Sequence, residues 1–348
     1  MTQVIEDNTN LSGIIKNMNY SRGNLRKIRY LVQWGLFVLI VYGGYKFYLF
    51  VDSLEKGIVP SIERPSLVDG FMPIGGLMAL KLWLVEGIFD HVHPAALVLF
   101  SGALLVALVF RKSFCGWICP VGTLSESVYK IGGGIFGKNF RLPLYIDYPL
   151  RSIKYIIMAF FIYVIIFRMN TPAIRAFLST PYWKIADIKL LNFFAEMSSV
   201  TAIVLLSLFG LSLFYKNFWC RYLCPYGALL GLLAFIGPSR IKRQEDKCIN
   251  CRLCSKNCPA QLPVDRKKYI HSPECTGCIN CVSYCPSKGC LEMTFAGRSV
   301  SPLLFIAGLL SLFFGLILLA KVTDNWKSHI SAFELIEIMP FIDKLMHP

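Results

Sequence analysis

Eight cysteines between positions 248 and 285 fall into two copies of one spacing, Cys248-x2-Cys251-x2-Cys254-x3-Cys258-Pro259 and Cys275-x2-Cys278-x2-Cys281-x3-Cys285-Pro286. Thiolates in this pattern hold [4Fe–4S] cubes: three closely spaced cysteines take three iron corners, and the fourth, before proline, crosses to the other cube. The spacing assigns Cys248, Cys251, Cys254 and Cys285 to one cluster, and Cys258, Cys275, Cys278 and Cys281 to a second. Zinc knuckles and disulfides are the competing readings. Zinc sites close on four ligands without a Cys-Pro ending on each half, and disulfides need an oxidising compartment. A pair of such clusters moves single electrons and does no bond chemistry of its own.

A second duplicated pattern lies upstream: Cys115-x3-Cys119-Pro120-x-Gly122-x-Leu124 and Cys220-x3-Cys224-Pro225-x-Gly227-x-Leu229, with Phe and a basic residue (Lys112 or Lys216) just before each. Cysteines four apart on a helix share a face, and proline after the second marks a helix start or break. Two such motifs at the ends of membrane helices imply parallel repeats whose four thiols meet at the seam. Thiolates there suit a further iron–sulfur or other soft-metal centre, or a redox dithiol pair. The plain alternative is that they are buried small apolar fillers.

Weaker signals remain. In Asp90-His91-Val-His93-Pro94, imidazoles beside a carboxylate could take the protons released when a quinol is oxidised, or ligate a metal. Asp and Pro are equally at home as a plain polar helix start. The apolar stretch 69–89, with Gly70, Gly75 and Gly76, reads as the floor of a quinone or flavin pocket or as an amphipathic surface helix. The glycines at 132–134 and 137 lack the flanking strand and helix of a phosphate cradle, so they read as a cytoplasmic loop. Cys290 reads as packing, and His271 as a loop residue.

The elements that must carry these residues are membrane helices. The chain has 348 residues, 55% hydrophobic and 14% aromatic, with mean hydropathy +0.54. A bilayer crossing takes about 20 predominantly apolar residues, and five segments qualify in outline: 29–51, 94–110, 153–167, 200–215 and 303–321. The stretches 71–89 and 227–237 read as interfacial or re-entrant helices. With the first 28 residues inside as an uncleaved signal-anchor lead, the inner segments hold about 25 Lys and Arg against about 10 outside, as the positive-inside rule requires. The net charge of +15 therefore reflects topology, not a nucleic acid ligand.

This division gives a cytoplasmic segment 1–28, a membrane part 29–240 with both CxxxCP repeats, a cytoplasmic ferredoxin-like module 241–300, and a last span with a short outer tail, 301–348. The fold class is an all-α polytopic membrane protein with an inserted bicluster module. From Arg243 to Lys288 the module has eight Lys or Arg against four Asp or Glu, so an acidic soluble carrier would be steered to it. The alternative is that these charges only follow lipid headgroups.

Paired CxxxCP motifs followed by a CxxCxxCxxxCP dicluster resemble the bacterial membrane polyferredoxins, from about 97 to 286. These are the NapH-type quinol dehydrogenase subunits, the electron-transfer part of NosR-type proteins, and the FixG/CcoG type. The resemblance implies a multi-pass protein of the bacterial inner membrane that relays electrons between the quinone pool, or an outer partner, and a cytoplasmic-side redox partner, as a subunit of a larger complex. Two other roles stay open. One is a FixG-like copper reductase or oxidase-assembly factor acting through the CxxxCP thiols; the other is a redox-sensing regulatory or assembly subunit. NosR-type proteins add a flavin-binding domain, for which the residues ahead of the second expected helix are too few, and FixG-type proteins a β-sandwich, for which the 27 residues after Lys321 are too few, so neither is expected in these residues.

Overall fold

The computed structural model describes residues 22–342, 344 and 345. Residues 1–21, most of the segment 1–28 expected inside the cell, lie outside the described residues. Three helices are long and apolar enough to cross a membrane. The first is α1 (Arg22–Glu55), qualifying over Gly23–Glu55. The second is α6 (Leu144–Ile162), which runs on through a π-helical turn, Tyr163–Arg168, to give 25 residues. The third is α11 (Pro302–Val322). Only 22%, 17% and 28% of their apolar windows is buried against protein. Their outer faces carry exposed Leu31, Val38, Ile156, Phe160, Leu318 and Val322. Surfaces of this kind belong in hydrocarbon, where helices satisfy their own backbone groups. This is a membrane protein.

The remaining apolar segments are shorter. Helix α8 (Ala186–Ala195) and α9 (Ser199–Phe214) make one broken pair, bent by 79°, where a single span 200–215 was expected. Helix α3 (Pro94–Phe110) matches the expected 94–110, and its 17 residues rise about 25 Å, short of a core about 30 Å thick. It is the central helix. Small residues Ala95, Ala96, Gly102, Ala103 and Ala107 are buried along it, and such a surface lets neighbours approach closely in a bilayer. Packed on it are α2 (Pro73–Glu86), α10 (Pro225–Ile236) and α11.

Three further stretches are placed by the structure, and the glycines at 132–134 differ from the sequence reading. The stretch 227–237 forms α10, which is inside the bundle: Tyr226 stacks on Phe100 at 5.7 Å, and Ser239, just past the other end, donates to the Val109 carbonyl. So α10 runs beside α3 in the same direction, beginning well within its length. The glycines at 132–134 are not a loop. They form the last turns of α5 (Pro120–Ile135), where Gly132 lets the Leu213 carbonyl of α9 come too close for any side chain. The stretch 71–89 is mostly α2, with Gly75, Gly76, Met78, Ala79 and Leu82 buried; Gly75 and Gly76 face Trp183 and Phe100.

Between α10 and α11 the chain forms a four-stranded antiparallel sheet, order β2-β1-β3-β4, from β1 (Ser239–Arg243), β2 (Tyr269–Ile270), β3 (Leu291–Phe295) and β4 (Arg298–Val300). Both cysteine runs lie within this excursion. It does not hang clear of the bundle. Arg111 fastens it to α3 by donating to the Ser239 and Ser272 carbonyls, at 2.9 and 2.8 Å.

Candidate metal centres

Two cavities in the inserted module each collect four of the eight motif cysteines. One is lined by Cys248, Cys251, Cys254 and Cys285; the other by Cys258, Cys275, Cys278 and Cys281. The fourth cysteine of each run therefore turns into the cavity of the other run. Short helical turns, Leu253–Lys256 and Asn280–Tyr284, carry Cys254 and Cys281. Each is entered through a left-handed residue, Arg252 at φ 58° and Ile279 at φ 60°. Four thiols around one apolar cavity are a donor set that fits an iron–sulfur cube.

The two cavities differ in exposure. Cys251 is exposed and Cys248 half-buried, whereas Cys258, Cys275, Cys278 and Cys281 are all buried. Around the first cavity Ile249 (65% exposed), Leu253, Arg252, Lys256, Arg266, Lys267 and Lys268 form an open face. Cys290 is buried on the rim of this same cavity, and its thiol donates to the Gln244 carbonyl. Its position five residues past a ligand hid this fifth thiol in the sequence.

The CxxxCP cysteines lie near one another. Cys220 lies within electrostatic range of Cys224, Cys119 and Cys115, and Cys115 within range of Cys119 and Cys224. Cys115 is in the short helix α4 (Ser113–Trp117), and Cys119 precedes α5. Cys220 sits in a π-helical turn, Trp219–Leu223, and Cys224 caps α10, its Sγ accepting from Gly227 N at 3.2 Å. Burial pushes the Cys115 thiol up to about 12 and Cys119 to about 11. Beside Cys115 and Cys220 is a cavity of about 40 Å³, against about 20 and 10 Å³ for the module's two cysteine cavities.

Both CxxxCP loops are clamped onto the module. Gly116 lies against the Thr276 carbonyl, and Trp117 Nε1 donates to Gly277 O at 3.1 Å. Gly277 itself is left-handed (φ 58°), and a side chain there would strike Ser113 Oγ. On the other side Arg221, paired with Asp147, donates to Ala260 O at 2.8 Å. As a result Pro259, Ala260 and Thr276 line both the cavity beside the CxxxCP thiols and the buried cavity of Cys258, Cys275, Cys278 and Cys281.

Charged residues that no motif signals surround this junction. Arg29 of α1 binds Gly116 O, Glu126 and Asn280, and Gln33 adds a further bond to Gly116 O. Burial would push the Glu126 carboxyl up, but Arg29 and Lys130 hold it down at about 2. Lys154 of α6 donates to both Glu274 oxygens at 2.7 Å, with Tyr155 on Oε1. Lys112, the basic residue of the first motif, is buried beside Cys115, Cys220 and Cys224, whereas its counterpart Lys216 turns away to the Lys256 carbonyl.

At the opposite end of α3 the Asp90-His91-His93 group is split. His93 is wholly buried: Nε2 donates to Trp183 O at 2.8 Å, and Nδ1 faces Asp69 at 3.0 Å and Arg64 at 3.2 Å. Burial would lower the imidazole, but Asp69 raises it. Asp90 accepts instead from Trp183 Nε1 and Val92 N. His91 is exposed and stacks on His329 at 4.7 Å. Among the described residues, the ligand atoms of Asp69, His93 and Asp187 are the one set of three or more lying within 4.8 Å of one another. The Arg64 guanidinium, bonded to Asp187, already supplies the cation there.

Residues 92–142 and 199–244 match a family described as a 4Fe-4S binding domain, and residues 240–286 match a 4Fe-4S dicluster domain. The chain is 41% identical over 259 residues to YccM of Escherichia coli (strain K12), provisionally named as an electron transport protein; the match covers 74% of this chain and 72% of YccM. It is 33% identical over 194 residues to MJ0749, an uncharacterized protein of Methanocaldococcus jannaschii, covering 55% and 68%. With the ferredoxin-type protein NapH of Escherichia coli (strain K12) it shares 26% over 209 residues, covering 56% and 67%. No solved structure matches the chain.

Proposed function

The chain belongs to the bacterial family of membrane polyferredoxins, and we propose that it conducts single electrons between a redox partner at its ferredoxin-like module and the membrane. The observation that carries this reading is the crossing of Cys258 and Cys285 between two four-cysteine cavities. Bound there, two [4Fe–4S] clusters would supply one-electron exchange, with potentials tuned by burial and hydrogen bonding. The protein sets the order of the relay. Cys251 brings the first site to solvent, while the second is buried, and Pro259, Ala260 and Thr276 line both its cavity and the one beside Cys115 and Cys220. Electrons thus enter or leave at Cys251, and the CxxxCP thiols are the membrane-side element.

The face around Cys251 fits an acidic carrier: Ile249 and Leu253 give an apolar centre, and Arg252, Lys256, Arg266, Lys267 and Lys268 a basic surround. The module faces the cytoplasm and the quinone pool is the membrane partner, within a larger redox complex in the inner membrane; charge asymmetry along the chain and the family support this. His93, with Asp69 and Arg64 on one ring nitrogen, is the residue equipped to hold a quinol-derived proton at the outer end. Asp90 and His91 serve it by bounding that end.

Electron paramagnetic resonance on anaerobically prepared membranes tests the proposal. Reduced protein should give two interacting [4Fe–4S] signals, and a quinol analogue should change their oxidation state. Iron-free protein would end the account. Clusters indifferent to quinol with partners present would remove the quinone.

A further inference from the structure

We propose that the adjoining ends of α5, α6 and α9 form a site for the headgroup of one anionic phospholipid, with Lys138, Arg141 and Lys216 holding its phosphodiester. The site is independent of the electron-transfer reading. Its three helix ends are fixed to one another. Phe140 N, in the segment between α5 and α6, donates to the Phe214 carbonyl at the end of α9 at 2.9 Å. The Phe214 ring stacks on Phe136 at 4.8 Å, and Phe140 lies 6.1 Å from it. Around this aromatic cluster Ile135, Phe136, Phe140, Leu144 and Tyr145 are 40% to 77% exposed. The long apolar helix α6 begins here, and aromatic residues collect where membrane helices meet the headgroups. An apolar rim in that position lies against acyl chains.

Charge gives the second argument. Four cations border the same rings: Lys130 on α5, Lys138 over Phe140 at 5.4 Å, Arg141, and Lys216 two residues past α9. No Asp or Glu occurs between 127 and 146 or between 197 and 244. Of the four, Lys130 alone has an ion-pair partner among the described residues, Glu126, which it shares with Arg29. Lys216 donates to a neutral acceptor, the Lys256 carbonyl, at 2.9 Å. Burial pushes the Lys216 ammonium below its ordinary value, and Arg141 and Lys130 push it the same way, with Cys258 and Glu126 opposing. Like charges gathered without a counter-charge repel one another. A phosphodiester supplies the negative charge and the acceptor oxygens that relieve them, as in other basic pockets between membrane helices. A lipid also brings acyl chains to the apolar rim, which free phosphate would leave bare. Because Lys216 reaches the Lys256 carbonyl, the headgroup is seated where the bundle meets the inserted module.

Native mass spectrometry of the full chain, delipidated in detergent and titrated with phosphatidylglycerol, provides the test. One anionic lipid per chain should bind ahead of the rest, and phosphatidylcholine should not replace it. Each cation beside an anionic headgroup is worth about 1 kcal/mol, or about fivefold in affinity. Lys138→Gln/Arg141→Gln should therefore weaken the first binding by about thirtyfold, and Arg141→Gln alone by about fivefold. Both side chains are exposed, so these variants should keep the wild-type thermal midpoint in lipid-free detergent; the single variant decides if the double one does not. Lys247→Gln/Lys288→Gln, which removes two exposed charges of the module, should leave the first binding unchanged. Equal losses in the two double variants would reduce the effect to net charge and overturn the site. Equal binding of phosphatidylcholine would overturn it as well. Displacement of the lipid by inorganic phosphate would do the same, giving the pocket to a free anion.

Discussion

Glu126 shows how the junction is held at the level of single residues. It is buried between Arg29 and Lys130, with Arg29 also bonded to Gly116 and Asn280. Replacing Glu126 with Gln strands the Arg29 charge, and breaking a buried pair in this way costs about 3 to 5 kcal/mol. We expect a lower thermal midpoint at pH 7, read by scanning calorimetry in detergent. The pH dependence has a definite sign. Glu126 is held down at about 2 in the folded chain, below its ordinary value near 4.5, so its stabilisation is present above pH 4.5 and lost as pH falls toward 2. Glu126→Gln should lack that part of the acid sensitivity; an unchanged acid profile would refute the assignment. None of this was legible in the sequence, because Arg29 and Glu126 are 97 positions apart and Lys154 and Glu274 are 120 apart. Cysteine spacing carried further, since a cluster demands fixed local intervals whatever the rest of the fold does.

Among the elements, the inserted module presents the next prediction. If the basic face around Cys251 receives an acidic carrier, the double charge reversal Arg266→Glu/Lys267→Glu should slow reduction by such a carrier at low salt. Steering of this kind is worth about tenfold or more in rate and fades with ionic strength. Stopped-flow kinetics with flavodoxin as the acidic probe, at two salt concentrations, would read it; equal rates for variant and wild type would dismiss the docking face. Both charges are exposed, so the fold should tolerate the change. Long helices such as α1, α6 and α11 were readable from unbroken apolar runs. The depth of α10 was not, because twelve apolar residues read alike at an interface and inside a bundle. Likewise α5 escaped notice: three glycines near its end look like a loop until Leu213 is packed against them.

At the scale of the whole molecule, the proposed topology puts the module on the inner side and Lys327, beyond α11, on the outer. A cysteine introduced at Lys327 should therefore react with a membrane-impermeant maleimide on intact spheroplasts, and one at Lys247 only after permeabilisation. The reverse pattern would invert the topology and with it the side on which the module's redox partner is met. The two halves of the chain meet the module through unlike contacts, Gly116 and Trp117 in one and Arg221 in the other, although their cysteine motifs are copies. That divergence explains why the repeat was visible while its working asymmetry, a buried Lys112 beside the thiols against a half-buried Lys216 bonded to the Lys256 carbonyl, was not. The clamp of Gly116 on Thr276 and of Arg221 on Ala260 has a kinetic corollary. A ferredoxin ordinarily ferries charge by diffusion, colliding and departing; here the ferry is moored. Transfer across the mooring should run at a rate blind to viscosity and protein dilution, so that only the handover at the far quay responds to the medium.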